Sequence, residues 1–489
     1  MAGEKLVPNI IIFVPDEMRG DSLSLGGKCN PIIKTPNIDR LAEDGVAFTK
    51  CFTVNPVCVP SRCCVFTGQY VHSNNHRSLY QLLEPWEENL FKFLKIKGYE
   101  VVWIGRNDLF AKQAINESVT KRISMFKRSG VEKLRISKMK GNTFPKNHPL
   151  RKSFYFGART LEQARDFDFN IIQNALEYLE SKPNKPFCLY LALNFPHPPY
   201  NVEEPYFSMY DREKLPSPIP SKLDDKPEFM KIMHERYGLN KLNENDFKEI
   251  LATYYGMISR VDDQFGQVVR KLKEIEEYDN SAIFFFSDHG DYAGNYGLTE
   301  KWSNAFQDCL INIPLIFKIP GYKPEKKIYE NLVESIDIFP TLMEIADIST
   351  PYTHFGKSLI PLLENAGAEH RNEVFAEGGY NTREPQCFEV VVKDPDIPIA
   401  GIYYDKTNIQ IEKPSTVVRS AMIRTKEWKL IIRNGVKEEL YDLVKDPQEL
   451  NNLIDDDACS EIILFLKEKL LRWYLNTSDN PRWQRSRDI

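Results

Sequence analysis

A chain of 489 residues with 42% hydrophobic and 27% charged residues is globular in composition and long enough for one large domain with a smaller appendage. Its formal net charge of −5 offers no global attraction for nucleic acid, so an anionic substrate must be met by a local cluster of positive groups. Nine cysteines, an odd count with no CxxC pair of metal-site spacing, fit a reducing compartment better than a disulfide framework.

The N-terminal stretch MAGEKLVPNIIIFVPDEMRG moves within a few residues into an apolar run and carries no signal-peptide pattern, and no later run is long enough to span a bilayer. The expectation is a cytoplasmic protein with no membrane partner. In chain order, NIIIFV (Asn9–Val14), EVVWIG (Glu100–Gly105), FCLYLAL (Phe187–Leu193), AIFFFS (Ala282–Ser287) and IPLIFKI (Ile313–Ile319) are short, β-rich and almost wholly apolar. Such runs belong to a sheet covered by helices on both faces. Helix-period stretches alternate with them, including TPNIDRLAEDGVAF, ARDFDFNIIQNALEYLESK and YYGMISRVDDQFGQVVRKLKEIEEY. The pattern predicts an α/β fold, a large mainly parallel or mixed sheet sandwiched by helices. LPSPIPSKLDDKPEF is a proline-rich surface excursion. Near residue 370 the texture changes: STVVRSAMIRTKEWKLIIRNGVKEELYDL alternates as antiparallel strands with a turn at Asn434-Gly435, and a helix from about Cys459 to Tyr474 follows. The expected division is a catalytic α/β domain over 1–370 and an α+β subdomain with a small antiparallel sheet over 371–489.

In sheets of this kind chemistry collects past the C-terminal ends of strands. The first strand is followed by Asp16 and Glu17, the fourth by Asp288 and His289, and the third by His197 in a Pro-bracketed loop. Any one of these is an ordinary cap or turn residue. Together, carboxylates and an imidazole from separate strand tips of one sheet converge on a hard cation.

Between them lies NPVCVPSRCCVFTGQY, with Cys58-Val59-Pro60-Ser61-Arg62 followed by Phe66-Thr67-Gly68. This stretch resembles the signature of the type I sulfatases of the alkaline phosphatase superfamily. The segments PNIIIFVPDEMRGDSL, TPNIDRLAEDGVAF, YYGMISRVDDQFGQVV, SDHGDYAGNYGL, ESIDIFPTLMEIADI and KEWKLIIRNGVKEELYDLVKDPQELNNL look like sulfatase segments in sulfatase order, from about residue 8 to about 453. The resemblance implies that a maturation enzyme oxidises Cys58 to formylglycine, whose hydrate attacks sulfur and later expels sulfate. It implies Asp16, Asp288, His289 and the modified Cys58 as ligands of a divalent metal, calcium first. Arg62 would point back to hold the modified side chain, Lys301 would face the sulfate oxygens, and His197 would protonate the leaving oxygen.

Two departures stand out. Glu17 occupies a place where sulfatases commonly have Asp, Gln or Asn, so it either ligates the ion or supports a ligand. GRNDLF puts Arg106 and Asp108 where many sulfatases have Gly-Lys-x-His. Arg106 still clamps an oxyanion; Asp108 orients Arg106, binds a substrate hydroxyl or sits outside the site. His76 and Arg77, in NNHRSL, and the loop EGGYNTREPQCFE are candidates for substrate contact. The implied substrate is a small sulfated sugar, a glycosaminoglycan-derived mono- or disaccharide. The alternatives are a phosphonate monoester or phosphodiester hydrolase of the same superfamily, using manganese, and a non-catalytic sulfated-sugar binding protein.

Overall fold

The computed structural model describes residues 7–123, 144–145, 147–394 and 400–479; the outer ends of the two expected units, 1–6 and 480–489, lie outside it. Among the described residues the strands run β1 (Asn9–Asp16), β2 (Val46–Phe52), β3 (Glu100–Gly105), β4 (Lys121–Ile123), β5 (Tyr155–Arg159), β6 (Phe187–Pro196), β7 (Tyr200–Glu203), β8 (Ser281–Phe286), β9 (Asn312–Lys318), β10 (Ile328–Tyr329), β11 (Val333–Glu334), β12 (Val374–Gly378), β13 (Ser420–Arg424), β14 (Trp428–Arg433) and β15 (Glu439–Asp442). One sheet has the order β10-β2-β9-β8-β1-β6-β3-β4, with β11 also paired to β2. From β8 to β4 it is parallel, while β9 is antiparallel to both neighbours, so the sheet is mixed. β12 to β15 form a separate antiparallel sheet, and β5 and β7 a short parallel pair.

The central strand shows why an unbroken apolar run is needed. Every residue of β1 is buried, and alternate side chains enter different cores. Ile11 and Phe13 join Ile171, Ile172, Val261 and Phe265, from helices Phe167–Glu180 and Glu244–Glu274. Ile10, Ile12 and Val14 join Val59, Cys63 and Phe66 of helix Cys58–Thr67 on the other face. Phe13 stacks on Phe285 at 5.5 Å between centroids and meets Phe265 edge-on at 5.2 Å. Phe13→Ala is therefore expected to cost about 3–5 kcal/mol, read as a lower urea midpoint at unchanged slope. A loss below about 1 kcal/mol would mean that the site collapses around the missing ring.

The helical period expected across TPNIDRLAEDGVAF stops at Asp44, and Val46 opens β2. Gly45 makes the break: a Cβ there would lie 2.1 Å from the Phe317 carbonyl oxygen of β9. The sequence reading overlooked β2 because it sits directly behind that helix and carries Thr49 and Lys50 in its middle. In the C-terminal part, Gly435 takes the expected left-handed turn (φ 75°) between β14 and β15. The last helix, Ser460–Thr477, packs Leu466, Leu470 and Trp473 on Ile423, Leu430 and Leu440. Among the described residues no helix is long and apolar enough to cross a membrane.

Candidate active site

Parallel pairing sets the geometry of the site. Phe13 of β1 is in register with Phe285 of β8, so three residues later Asp16 and Asp288 emerge side by side. On the other flank Asp16 pairs with Pro196 of β6, which delivers His197. Gly105 of β3 pairs with Ala192 of β6 and delivers Arg106. At Gly105 φ is +134° and a Cβ would meet the Ala192 carbonyl oxygen at 2.1 Å, so only glycine lets β3 leave the sheet there. β2 leads in five residues to Cys58, the first residue of a helix buried along its whole length.

Cys58 Sγ lies 3.1 Å from His289 Nε2 and 3.4 Å from Asp16 Oδ1, and the residue is 2% exposed. Ligand atoms of Asp16, Cys58, Asp288 and His289 all lie within 4.8 Å of one another. His289 Nδ1 faces the Gly290 carbonyl at 3.0 Å; donating there leaves Nε2 free as a ligand. Burial lowers the His289 pKa, which keeps the ring neutral. Burial pushes the Cys58 thiol well up, with Asp16 adding to it, so the unmodified cysteine is a protonated thiol, a poor nucleophile and a poor ligand.

Arg62 points back from one turn along the helix, and its partners are the two carboxylates. Its Nε donates to Asp288 Oδ2 at 2.8 Å and its Nη2 to Asp16 Oδ2 at 3.0 Å. Arg106 Nη1 reaches the same Asp16 oxygen at 2.8 Å. Burial alone would raise the Asp16 carboxyl; Arg106 and Arg62 overcome it and hold the group at about 2. Asp108 Oδ2 forms an ion pair with Arg106, 2.9 Å from its Nε, and lies 3.7 Å from Arg62 Nη1, with a hydrogen bond to neither.

Glu17 adopts the left-handed conformation (φ 69°), which directs its N–H to Asp288 Oδ1 at 3.1 Å. Its carboxylate turns to the other end of the site, where Oε2 accepts from Lys301 Nζ at 2.7 Å. Lys301 Nζ also reaches Glu300 Oε1 at 2.9 Å and His197 Nε2 at 3.2 Å. His197 holds the Pro198 carbonyl through Nδ1 at 2.7 Å. Burial, then the charges of Lys301 and Arg106, lower its pKa well below the usual value, so the ring is neutral. The open side of the site is formed by His197, Arg106 and Asp108, which keep partial exposure while Asp16, Glu17 and Asp288 have none.

The donor set fits a divalent ion. Ligand atoms of Asp16, Asp288 and His289 converge beside Cys58, and the buried Glu17 Oε1 has no hydrogen-bond partner. Lys406 balances Glu300 and burial raises the Glu17 carboxyl well above its usual range, so the fit rests on the convergence of donors and not on surplus charge. Two candidates for substrate contact are engaged by partners of their own. His76 is buried by its own turn, with Nδ1 on the Gln81 carbonyl at 2.6 Å and Nε2 on Glu87 at 3.1 Å. Arg77 pairs with Glu384 at 3.3 Å, on the 377–389 loop. Sequence reasoning missed Glu300, although it directly precedes Lys301, and Lys406, whose Nζ lies 3.0 Å from Glu300 Oε1. The adjacent acid was a readable signal for the first; nothing in the local sequence marks the second.

A family model described as Sulfatase matches residues 8–348, and one described as N-sulphoglucosamine sulphohydrolase, C-terminal, matches residues 396–475. The multifunctional alkaline phosphatase superfamily protein PehA of Trinickia caryophylli is 27% identical over 96% of this chain and 96% of its own. An arylsulfatase of Clostridium perfringens is 26% identical over 95% of this chain and 94% of its own. The fold is also that of the phosphonate monoester hydrolase of Agrobacterium radiobacter, with a TM-score of 0.74 and 23% identity, covering 97% of this chain and 96% of that one. With most of its length matched in this way, the chain belongs to the sulfatase family of sulfuric ester hydrolases.

Proposed function

We propose that this enzyme hydrolyses the sulfate ester of a small sugar, a glycosaminoglycan-derived mono- or disaccharide, with formylglycine made from Cys58 and a divalent ion held by Asp16, Asp288 and His289. The observation that carries the reading is the convergence of Cys58 Sγ on Asp16 and His289 at the start of a helix, with the thiol itself held protonated. The match of residues 396–475 to an N-sulphoglucosamine sulphohydrolase C-terminal model supports a sugar substrate.

The modified side chain supplies a geminal diol, one hydroxyl to attack sulfur and the other to let sulfate leave, and the ion supplies positive charge to both oxygen sets. The helix start adds free N–H groups to the same anion. Arg106 and Lys301 meet the sulfate from two sides, with the forked guanidinium of Arg106 fixed by Asp108. Burial and, after it, the charges of Lys301 and Arg106 keep His197 neutral; a bound sulfate offsets the two charges, so substrate raises the basicity of Nε2 beside Lys301 Nζ. His197 then bears the proton that goes to the leaving oxygen.

That role has a discriminating test, because a sugar alkoxide needs protonation and a nitrophenolate does not. His197→Ala is expected to lower sulfate release from a sulfated sugar by about 10²–10⁴-fold and from a nitrophenyl sulfate by less than about tenfold. Equal losses on both substrates would remove His197 from the role of acid.

One observation favours the second reading, a phosphonate monoester hydrolase using manganese. The Trinickia caryophylli relative, 27% identical over 96% of this chain, is described as a multifunctional alkaline phosphatase superfamily protein and not as a sulfatase alone. Turnover of a panel of sulfated sugars and an aryl phosphonate ester, with elemental analysis of the bound ion, separates the readings. Sulfate release supports the first, whereas phosphonate cleavage without it hands the site to the second.

A further inference from the structure

The C-terminal segment reaches the active site through one buried cation. Lys406, on helix Tyr404–Glu412, is 4% exposed, and its Nζ lies 3.0 Å from Glu300 Oε1 and 2.9 Å from Glu300 Oε2. A second carboxylate, Glu389, lies 3.4 Å from the same nitrogen. The helix is clamped from outside: Lys152 holds Asp405 at 2.7 Å and Arg236 holds Glu412 at 2.8 Å. Tyr403, just before it, places its ring 6.5 Å from that of His197. Glu300 in turn holds Lys301, through the side chain at 2.9 Å and through the Lys301 N–H at 2.7 Å.

Lys301 therefore pairs with the Glu300 carboxylate and also donates to Glu17, whose carboxyl burial raises well above its usual range, while a substrate sulfate needs its positive charge. If Glu300 had no other cation, the Lys301 ammonium would be committed to it and would offer less to an anion. Lys406 engages both oxygens of Glu300 and relieves that demand. Burial would raise the Glu300 carboxyl, yet Lys301 and Lys406 hold it at about 2, so the glutamate is a fixed negative charge that requires two cations. We propose that Lys406 is a positioning residue for the sulfate-binding lysine: by engaging Glu300, the C-terminal segment frees Lys301 for the substrate's anionic group. This rests on the reading that Lys301 holds the sulfate.

The experiment compares wild type, Lys406→Met, Lys406→Arg, Glu300→Gln and the Glu300→Gln/Lys406→Met double variant, from a host that makes formylglycine. Each is assayed for kcat and KM on a nitrophenyl sulfate and for the inhibition constant of inorganic sulfate. Lys406→Met is expected to raise KM and the inhibition constant about tenfold with a smaller change in kcat, and Lys406→Arg to return both to within about threefold. In the Glu300→Gln background the same Lys406→Met change is expected to cost less than about twofold, because the charge it balanced is gone. The double variant removes Glu300 and Lys406 together and leaves Glu389, 11% exposed, as the one carboxylate that loses this cation, so it keeps the test open even where Lys406→Met folds poorly. Unchanged KM and inhibition in Lys406→Met, or an undiminished cost in the Glu300→Gln background, overturns the proposal. Wild type that cleaves an aryl phosphonate ester and no sulfate ester would sink the sulfate reading alone. The same ratios are then read on that ester and inorganic phosphate.

Discussion

Cys58→Ala, made beside wild type in a host able to form formylglycine, is expected to lose sulfate release by at least about 10⁴-fold with no loss of fold. The size follows from what remains. Arg106, Lys301, His197 and the helix start still bind and polarise the ester, but none of them is an oxygen nucleophile placed beside Asp16 and His289. Stability is expected to change little, since Cys58 makes no packing contact that alanine cannot largely keep and its thiol is desolvated already. Cys58→Ser carries the sharper question. A serine hydroxyl can attack but has no second hydroxyl with which to expel the product, so a single burst of product and then arrest is expected. Mass spectrometry of the wild-type peptide spanning Cys58 supplies the check, as formylglycine is lighter than cysteine. Full sulfate release by Cys58→Ala would end the covalent reading.

The second large effect is on stability. Arg62 is 1% exposed, forks between Asp288 and Asp16, and lies near Asp108. Arg62→Leu leaves Asp288 buried without the guanidinium it pairs with and Asp16 with Arg106 alone, which is expected to cost about 3–5 kcal/mol in metal-free protein. On the proposed reading a divalent ion binds the same two carboxylates, so adding it should restore part of the loss. The difference in melting temperature with and without chelator should therefore be larger for Arg62→Leu than for wild type. Arg62→Lys is expected to fall between them, because an ammonium is a point charge and does not bridge both acids. A melting temperature for Arg62→Leu that neither drops nor responds to the ion would mean that Arg62 is not what holds the two carboxylates together.

The readable part of the fold was the part buried on both faces. β1, β3, β6, β8 and β9 announce themselves as apolar runs because each face of the sheet has its own core, as Ile11 and Ile12 show by entering different ones. β2 was not readable: Thr49 and Lys50 are half-buried in its middle, and its limit is set by a contact between Gly45 and β9 that no local pattern records. The same distinction runs through the site. Asp16, Cys58, Asp288 and His289 sit at strand tips or a helix start, where local sequence marks position. His76, a candidate for substrate contact only, lies in a loop that follows the signature, and there its ring is held by Gln81 and Glu87 of its own turn. Lys406 lies in unremarkable helical sequence, and its partner Glu300 is in another part of the chain, so only the folded structure joins them.

The enclosure of Cys58 also sets a schedule. Helix Cys58–Thr67 has no exposed residue, so on the proposed reading an enzyme that recognises Cys-x-Pro-x-Arg would find the motif only while the chain is open. The pocket cannot close before β8 is synthesised, since Asp288 and His289 follow it, roughly 220 residues after Cys58. At about 5–20 residues per second that delay is about 10–45 seconds, and it is the time available for maturation on the ribosome. Protein that folds unread stays unread, so a preparation will be a mixture whose active fraction is decided during translation. Adding maturation enzyme to the folded protein should not raise that fraction, whereas adding it during cell-free synthesis should.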